Sequence, residues 1–295
     1  MDPEERGRAL SEHVAPPSST SAPSPSPLAA ALRARVDRGG TGFIPYLPAG
    51  YPDLDTTVAL ALHLARLGAD AIELGVPFSD PVADGPAIQQ ASQHALAHGV
   101  TMAHTLEAAR AIAAGTTAPV VLMTYVNPVL AFGAARFAET ARDAGVRGVI
   151  LTDLPWGEDA ALSDACDAAG IARVLLIAPT TPAARRRAIA AAATGFVYVL
   201  SRLGITGGDH AFAEALAAIV ADARAAARAP VAVGFGVARA GHAAALRGVA
   251  DAVVVGSAIV RAIAAAQHPA AALHTVTEVC MPLLEGLGRT ESHAA

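Results

Sequence analysis

Lysine is absent from this sequence of 295 residues, in which all 21 basic residues are arginines. A Schiff-base aldolase needs a lysine amine to form its covalent intermediate, and an enzyme that carries pyridoxal phosphate needs one to attach that cofactor. Both classes of enzyme are therefore excluded for this chain.

Cysteine is scarce as well, since the chain holds only Cys166 and Cys280. Two distant cysteines give neither a metal-ligand spacing nor a disulfide framework, which is typical of a protein from a reducing compartment. The ten histidines form no H-x-x-x-H pair beside carboxylates. We therefore predict that there is no metal site and that both cysteines only fill the core.

Long apolar runs and clustered positive charge are missing too. The net charge is -5 and the arginines form no basic stripe, which argues against a nucleic-acid surface. Apolar runs such as residues 119–123 and 252–255 are far shorter than the roughly 18 residues of a membrane span. The first residues contain no apolar stretch of a secretory signal. The predicted location is the cytoplasm.

Composition divides the chain into three parts. Residues 1–29 are predicted to be a disordered N-terminal extension, because the Pro/Ser-rich stretch 15–27 cannot bury enough apolar area to offset the entropy of ordering. A phosphorylated or partner-binding tail is the alternative. Residues 30–288 are predicted to form one catalytic domain, and residues 289–295 a C-terminal tail.

Within that domain, short apolar runs alternate with alanine-rich helical stretches, which predicts eight strand–helix units. The predicted strands cover residues 43–47, 70–74, 120–125, 148–153, 174–178, 196–200, 231–235 and 252–256. They are continuously apolar, as expected for parallel strands covered on both faces. The fold class is therefore predicted as α/β, a (β/α)8 TIM barrel. A doubly wound open sheet is the alternative, but it would use fewer strands, and no G-x-G-x-x-G follows the first one.

Two carboxylates lie where such a barrel places its chemistry, at the C-terminal ends of strands and in the loops that follow. Glu73 interrupts an apolar strand, so burial would raise its pKa and suit it to proton transfer near neutral pH. Asp84 stands in the proline-rich loop 77–86, whose Asp-Gly pair favours a turn that aims the carboxylate over the barrel mouth. The alternatives are a Glu73 satisfied by buried donors and an Asp84 that only caps a turn or a helix.

Glycine-rich segments follow the last three predicted strands, at residues 204–208, 234–236 and 256–257. Glycines let backbone N–H groups approach an anion, and phosphate groups recur after strands seven and eight of such barrels. Each segment alone could be an ordinary turn, but together they predict a phosphorylated substrate.

Several long motifs in one order resemble the tryptophan synthase alpha subunit family over about residues 30–288. They are ELGVPFSDPVADGP at 73–86, FIPYLPAGYP at 43–52, MTYVNP at 123–128, TDLP at 152–155, SRLGITG at 201–207 and GFGV at 234–237. The chain departs from the family's pattern in its Pro/Ser-rich tail and in Trp156-Gly157, which replaces a second acidic residue. Tyr46 occupies a position that is Phe in some relatives.

The resemblance implies retro-aldol cleavage of indole-3-glycerol phosphate to indole and D-glyceraldehyde 3-phosphate, with Glu73 and Asp84 as catalytic residues. It implies no cofactor in this chain, since pyridoxal phosphate is expected only in a partner beta subunit. The implied substrate-binding residues are Tyr46, Met123, Tyr125, Thr152, Tyr198, Thr206 and Phe235. The implied phosphate-binding residues are Gly207, Gly236, Gly256 and Ser257.

Three roles remain open at this point. The chain could be an alpha subunit that passes indole to a beta subunit in an alpha2beta2 heterotetramer, or a free-standing lyase. The third role is a catalytically silent barrel that serves only as a scaffold or activator of its partner. The Asp80-Pro81 segment resembles the family's subunit contact and favours the first role. The presence of both Glu73 and Asp84 argues against the third.

Overall fold

The computed structural model describes residues 25–201, 209–234 and 236–289. Eight strands alternate with helices along these residues. The strands are β1 (Gly42–Pro48), β2 (Ile72–Gly75), β3 (Val120–Thr124), β4 (Val146–Leu151), β5 (Ala172–Ile177), β6 (Val197–Leu200), β7 (Val231–Gly234) and β8 (Ala252–Val255). The helices are α1 (Pro27–Asp37), α2 (Leu54–Arg66), α3 (Pro86–Ala97), α4 (Met102–Gly115), α5 (Val126–Phe132), α6 (Ala134–Asp143), α7 (Ala160–Ala168), α8 (Ala183–Ala192), α9 (Asp209–Ala226), α10 (Ala240–Leu246), α11 (Ser257–Ala265) and α12 (Pro269–Gly286).

The strands form one closed parallel barrel in sequence order, with β8 paired to β1. The predicted (β/α)8 barrel is therefore confirmed, and an open doubly wound sheet is excluded. Each predicted strand coincides with an observed one within two residues at either end. Among the described residues, no helix is both long and apolar enough to cross a bilayer.

Alternate residues of each strand serve two separate apolar layers, as the two-residue period of a strand requires. On β1, Ile44 and Tyr46 belong to the cluster that fills the barrel, whereas Phe43 and Leu47 pack against the surrounding helices. This double burial explains why the strands read as continuous apolar runs in the sequence.

One end of the barrel is closed by α1, which the sequence did not predict as a helix. Ser26 caps it, with its hydroxyl accepting from the N–H of Ala29. Leu28 and Leu32 are fully buried and join the cluster inside the barrel. Residues 27–29, predicted as the end of the extension, are thus the first turn of this helix, while residues 1–24 lie outside the described part.

The carboxylate of Asp70 links three segments of the chain at the same end of the barrel. It accepts from Arg35 Nε at 2.9 Å, from Arg289 Nη1 at 2.8 Å and from the N–H of Phe43 at 2.8 Å. Arg289, predicted to begin the C-terminal tail, therefore contacts the barrel; residues 290–295 lie outside the description. Because Leu28 and Leu32 fill this end of the barrel, the open mouth of the barrel lies at the opposite end, beyond the C-terminal ends of the strands.

Candidate active site

Glu73 lies inside the barrel. It stands in register with Tyr46 on β1 and Val121 on β3, two residues of the interior cluster. Its side chain is almost completely buried, at 1% exposure. The local cause is the alternation of β2, in which Ile72 and Leu74 face the helices and Glu73 takes the inward position between them.

Asp84 is held over the same pocket by the loop that follows β2. Its N–H donates to the carbonyl of Pro81 at 3.0 Å, and its own carbonyl accepts from Gln89 Nε2 at 2.9 Å. Tyr125, which follows β3, donates its hydroxyl to Asp84 Oδ2 at 3.0 Å and accepts from the N–H of Ala83 at 3.1 Å. One phenol therefore fixes both the carboxylate and the backbone beside it.

Burial pushes both carboxyl groups out of their ordinary titration range. Desolvation, and then the charge of Asp84, raise the pKa of Glu73 from 4.5 to about 8. Desolvation raises the pKa of Asp84 from 3.8 to about 6, against the opposing hydrogen bond from Tyr125. At neutral pH the pair therefore holds one proton, which resides on Glu73, while Asp84 is ionised.

Each of these carboxyl groups also keeps one oxygen without a partner. Among the described residues, Glu73 Oε2 and Asp84 Oδ1 are the buried side-chain oxygens or nitrogens that lack a hydrogen bond. Buried polar atoms are nearly always paired, so an unpaired one calls for an explanation. A bound substrate could supply the missing hydrogen-bond partners of these two oxygens, which lie in one pocket.

Two tyrosines line the pocket, each folded across a glycine of the next strand. A Cβ on Gly75 would come within 2.2 Å of the Tyr46 hydroxyl, and one on Gly234 within 2.4 Å of the Tyr198 hydroxyl. Both rings are buried, and burial is the main cause that raises the pKa of each phenol well above 10. The phenols are therefore uncharged at neutral pH, and the nearby carboxylate of Asp84 raises the pKa of both further.

Two further residues with a predicted substrate contact lie around the same end. Met123 belongs to the interior cluster on β3. Thr152 follows β4, where its hydroxyl donates to the carbonyl of Thr124 at 3.2 Å. Tyr46, Met123, Tyr125, Thr152 and Tyr198 are thus brought to one end of the barrel with the two acids, and their contact with substrate stays a prediction.

The predicted phosphate site is described in part. Gly256 caps α11, Ser257 is its first residue, and a Cβ on Gly256 would lie 3.5 Å from the Tyr46 ring. The N-terminus of α11, with its unpaired N–H groups, therefore opens beside the pocket. Gly236 follows β7 with a φ of 90°. Thr206, Gly207 and Phe235 lie outside the described residues.

A metal site is not found in the described part of the chain, where no three His, Cys, Asp or Glu side chains converge. The cysteines are buried, and burial is the main cause that raises the pKa of Cys166 to about 11 and that of Cys280 to about 12. Neither thiol is a reactive nucleophile at neutral pH.

Comparison with known proteins decides the family. A sequence profile described as tryptophan synthase alpha chain matches residues 32–287. The chain belongs to the tryptophan synthase alpha chain family. Among curated members, the tryptophan synthase alpha chain of Laribacter hongkongensis is 48% identical over 238 residues, which are 80% of this chain and 89% of that one. The one from Phenylobacterium zucineum is 46% identical over 243 residues, which are 79% and 88% of the two chains.

Solved structures of the family agree with this fold. A tryptophan synthase crystal structure from M. tuberculosis, in an open form with BRD0059 bound, has a chain that superposes with a TM-score of 0.80 at 35% identity. The match covers 89% of this chain and 99% of that one. Tryptophan synthase subunit alpha from Legionella pneumophila superposes with a TM-score of 0.80 at 33% identity, covering 89% and 98%.

Two features of the site are not predicted by the sequence. Tyr125 is expected only to contact the substrate, whereas in the structure its hydroxyl donates to Asp84. Gly75 has no expected role, and its missing side chain makes room for Tyr46. A signal for Gly75 was present, since a glycine two residues after an inward-facing glutamate must face inward too.

Proposed function

We propose that this chain is an alpha subunit that cleaves indole-3-glycerol phosphate to indole and D-glyceraldehyde 3-phosphate. The observation that carries the proposal is that two carboxyl groups in one pocket have different pKa values. Glu73 is buried and protonated at neutral pH, whereas Asp84 is ionised. Pairs of titratable groups whose environments push their pKa values apart are how a site obtains an acid and a base together.

Glu73 is the acid and then the base of the reaction. Its proton goes to C3 of the indole ring, which turns that carbon tetrahedral and leaves a positive charge delocalised to the ring nitrogen. The resulting Glu73 carboxylate takes the proton of the adjacent glycerol hydroxyl as the C3–carbon bond breaks. The bonding electrons return to the ring, an aldehyde forms on the glycerol fragment, and Glu73 ends protonated as it began.

Asp84 stabilises the intermediate from the nitrogen side of the ring. Its Oδ2 is occupied by the Tyr125 hydroxyl, so Oδ1 is the oxygen left to accept the indole N–H. A carboxylate at hydrogen-bond distance lowers the energy of the positive charge that develops there. Tyr46, Met123, Thr152 and Tyr198 would enclose the ring, together with Thr206 and Phe235.

The phosphate would bind after β7 and β8, whereas Asp84 follows β2. Gly256 and Ser257 offer the N-terminus of α11, and β7 places Gly236 on the adjacent strand end. We assign Gly207 to the same anion by its family resemblance. Holding the phosphate fixes the position of the glycerol carbons relative to Glu73.

A pH profile of the purified chain tests the assignment. Cleavage needs Glu73 protonated and Asp84 ionised, so kcat/KM should rise through pH about 6 and fall through pH about 8. Glu73→Gln should abolish cleavage while the substrate still binds, and the matched change at an exposed glutamate of α4, Glu107→Gln, should leave turnover unchanged. Near-normal turnover by Glu73→Gln would overturn the assignment.

The partner proposed is a tryptophan synthase beta subunit, in an alpha2beta2 heterotetramer. The loop that carries Asp84 also exposes Val82 at 84%, and Leu130 on the adjacent α5 is 51% exposed. Exposed apolar side chains beside an active site favour a protein contact there. Asp80, predicted as a subunit contact, is exposed in the same loop.

The rate of indole release with and without a beta subunit separates this role from that of a free-standing lyase. A large stimulation supports the subunit role, and an unchanged rate contradicts it. Pyridoxal phosphate would be supplied by the beta subunit alone, because this chain contains no lysine to attach it. We further propose that the chain works in the cytoplasm.

A further inference from the structure

The side of the barrel between β4 and β5 has a gap in the strand pairing. These strands pair over three positions, of which the last joins Ile150 and Val174. Their other neighbours continue further, since β4 pairs with β3 as far as Leu151 and β5 pairs with β6 as far as Ile177. The pairing between β7 and β8 is shorter still, with two positions, so it is the side chains and the cavity beside β4 and β5 that set this gap apart.

Side-chain exposure distinguishes the ends of β4 and β5 from most other strands. Every residue of β1, β2, β3, β7 and β8 is buried. Leu151 at the end of β4 and both Leu175 and Leu176 on β5 are partly exposed. Two of them, Leu151 and Leu175, face the helices, whereas Leu176 belongs to the interior, so the gap passes through the wall.

A cavity of about 340 Å³ occupies this gap. Its inner lining includes Thr152, Leu176 and Leu200 at the barrel mouth. Its outer lining includes Trp156, Cys166 on α7 and Ile189 on α8. We call this cavity the side pocket. Its volume is at the lower end of the range of small-molecule sites.

The charged groups of the side pocket already have partners. Asp153 accepts from the N–H of Val126, Asp159 caps α7 and Arg173 is paired with Asp167. The remaining guanidinium, that of Arg185, donates to the carbonyl of Trp156. Because each of these groups has a hydrogen-bond or ion-pair partner within the protein and most of the lining residues are apolar, the pocket suits an apolar group rather than an ion.

The geometry of the mouth indicates which apolar group reaches it. The phosphate is proposed to bind after β7 and β8, and the acids stand on and after β2. The opening between β4 and β5 is three strands away from the junction of β7 and β8, on the opposite half of the barrel. A substrate that spans the mouth from its phosphate therefore directs its ring towards Thr152 and Leu176.

We propose that the side pocket is a subsite for apolar substituents on the six-membered ring of the indole moiety. The enzyme would thus accept ring-substituted indoleglycerol phosphates as well as the parent compound. This inference rests on the proposed function, because the ring occupies the mouth only if the chain binds that class of substrate.

The test uses the reverse reaction, condensation of an indole with D-glyceraldehyde 3-phosphate, for indole and its four monomethyl isomers at ring carbons 4 to 7. For at least one isomer, wild-type kcat/KM should lie within about threefold of that for indole. Ser163→Phe, on α7 at the cavity lining, should lower kcat/KM for that isomer about tenfold and leave indole within about twofold, as a lost methyl-sized space predicts. Ser163→Ala is the matched control and should behave as wild type.

A second readout is independent of catalysis. Trp156 is the only tryptophan of the chain and lines the side pocket, so its emission, excited at the red edge of tryptophan absorption, reports occupancy. Toluene should shift this emission in wild type and Ser163→Ala but not in Ser163→Phe. Ile189→Phe fills the pocket from α8 and replaces Ser163→Phe if that variant does not fold.

Two results would overturn the subsite: equal loss of activity towards indole and methylindole in the filled variant, or rejection of all four isomers by wild type. Failure of wild type to condense indole itself, with the toluene response intact, would instead contradict the proposed function.

Discussion

Replacing Glu73 with glutamine should make the free protein more stable, and increasingly so as the pH rises. The side chain is 1% exposed and its pKa is raised from 4.5 to about 8. Between these two values the folded protein binds a proton that the unfolded chain has released. Stability must therefore fall as the pH increases through this window.

The size of the effect follows from the pKa difference. One pKa unit corresponds to 1.36 kcal/mol, so the raised pKa of Glu73 lowers the unfolding free energy of the wild type, relative to its value at low pH, by about 3 kcal/mol at pH 7 and by about 5 kcal/mol well above pH 8. Glutamine has nearly the same shape and does not ionise. The Glu73→Gln variant should escape this cost at every pH.

Urea unfolding of the two proteins at pH values from about 4.5 to about 9 measures the difference. The gap in unfolding free energy should widen with pH in favour of Glu73→Gln. Glu107→Gln, at an exposed site on α4, should follow wild type throughout. A gap that stays constant over this range, or that narrows, would refute the claim that burial keeps Glu73 protonated.

Two further predictions concern the residues that hold the pocket in shape. Tyr125→Phe removes the hydrogen bond that favours ionised Asp84. The pKa of Asp84 should therefore rise, and the acidic limb of the kcat/KM profile should shift to higher pH by about one unit. A loss of activity without a shift of this limb would show that Tyr125 contributes only packing. Gly75→Ala places a Cβ within 2.2 Å of the Tyr46 hydroxyl and should cost about 1–3 kcal/mol in urea unfolding through overpacking. Gly241→Ala in α10, where a Cβ meets nothing within 4 Å, should be neutral or stabilising, and equal stability of both variants would contradict the steric argument.

The barrel was predictable because its strands are buried on both faces. Apolar runs of five or six residues, spaced by alanine-rich helices, leave few other solutions, and the observed strands follow them closely. The helix α1 escaped prediction because it follows a Pro/Ser-rich stretch and consists mostly of alanine and arginine, which mark no distinct apolar stripe. What fixes it is tertiary, namely the fit of Leu28 and Leu32 into the end of the barrel.

The sequence predicted the residues of the site better than the contacts between them. Glu73 is conspicuous as an acid in an apolar strand, and the inward direction follows from the alternation of β2. The bond from Tyr125 to Asp84 joins residues that are 41 positions apart, and no local pattern specifies such a contact. The side pocket depends on where two strands stop pairing, which strand propensity does not encode.

The two tyrosine–glycine contacts share one construction. Tyr46 stands opposite Glu73 with Gly75 two residues further along β2, and Tyr198 stands opposite Ala232 with Gly234 two residues further along β7. In each case the width of the mouth is set by a ring resting on main chain, so neither partner can grow alone. A substitution at one position of a pair should therefore require a compensating substitution at the other. We expect the tyrosine and the glycine of each pair to change together when such barrels diverge towards larger or smaller substrates.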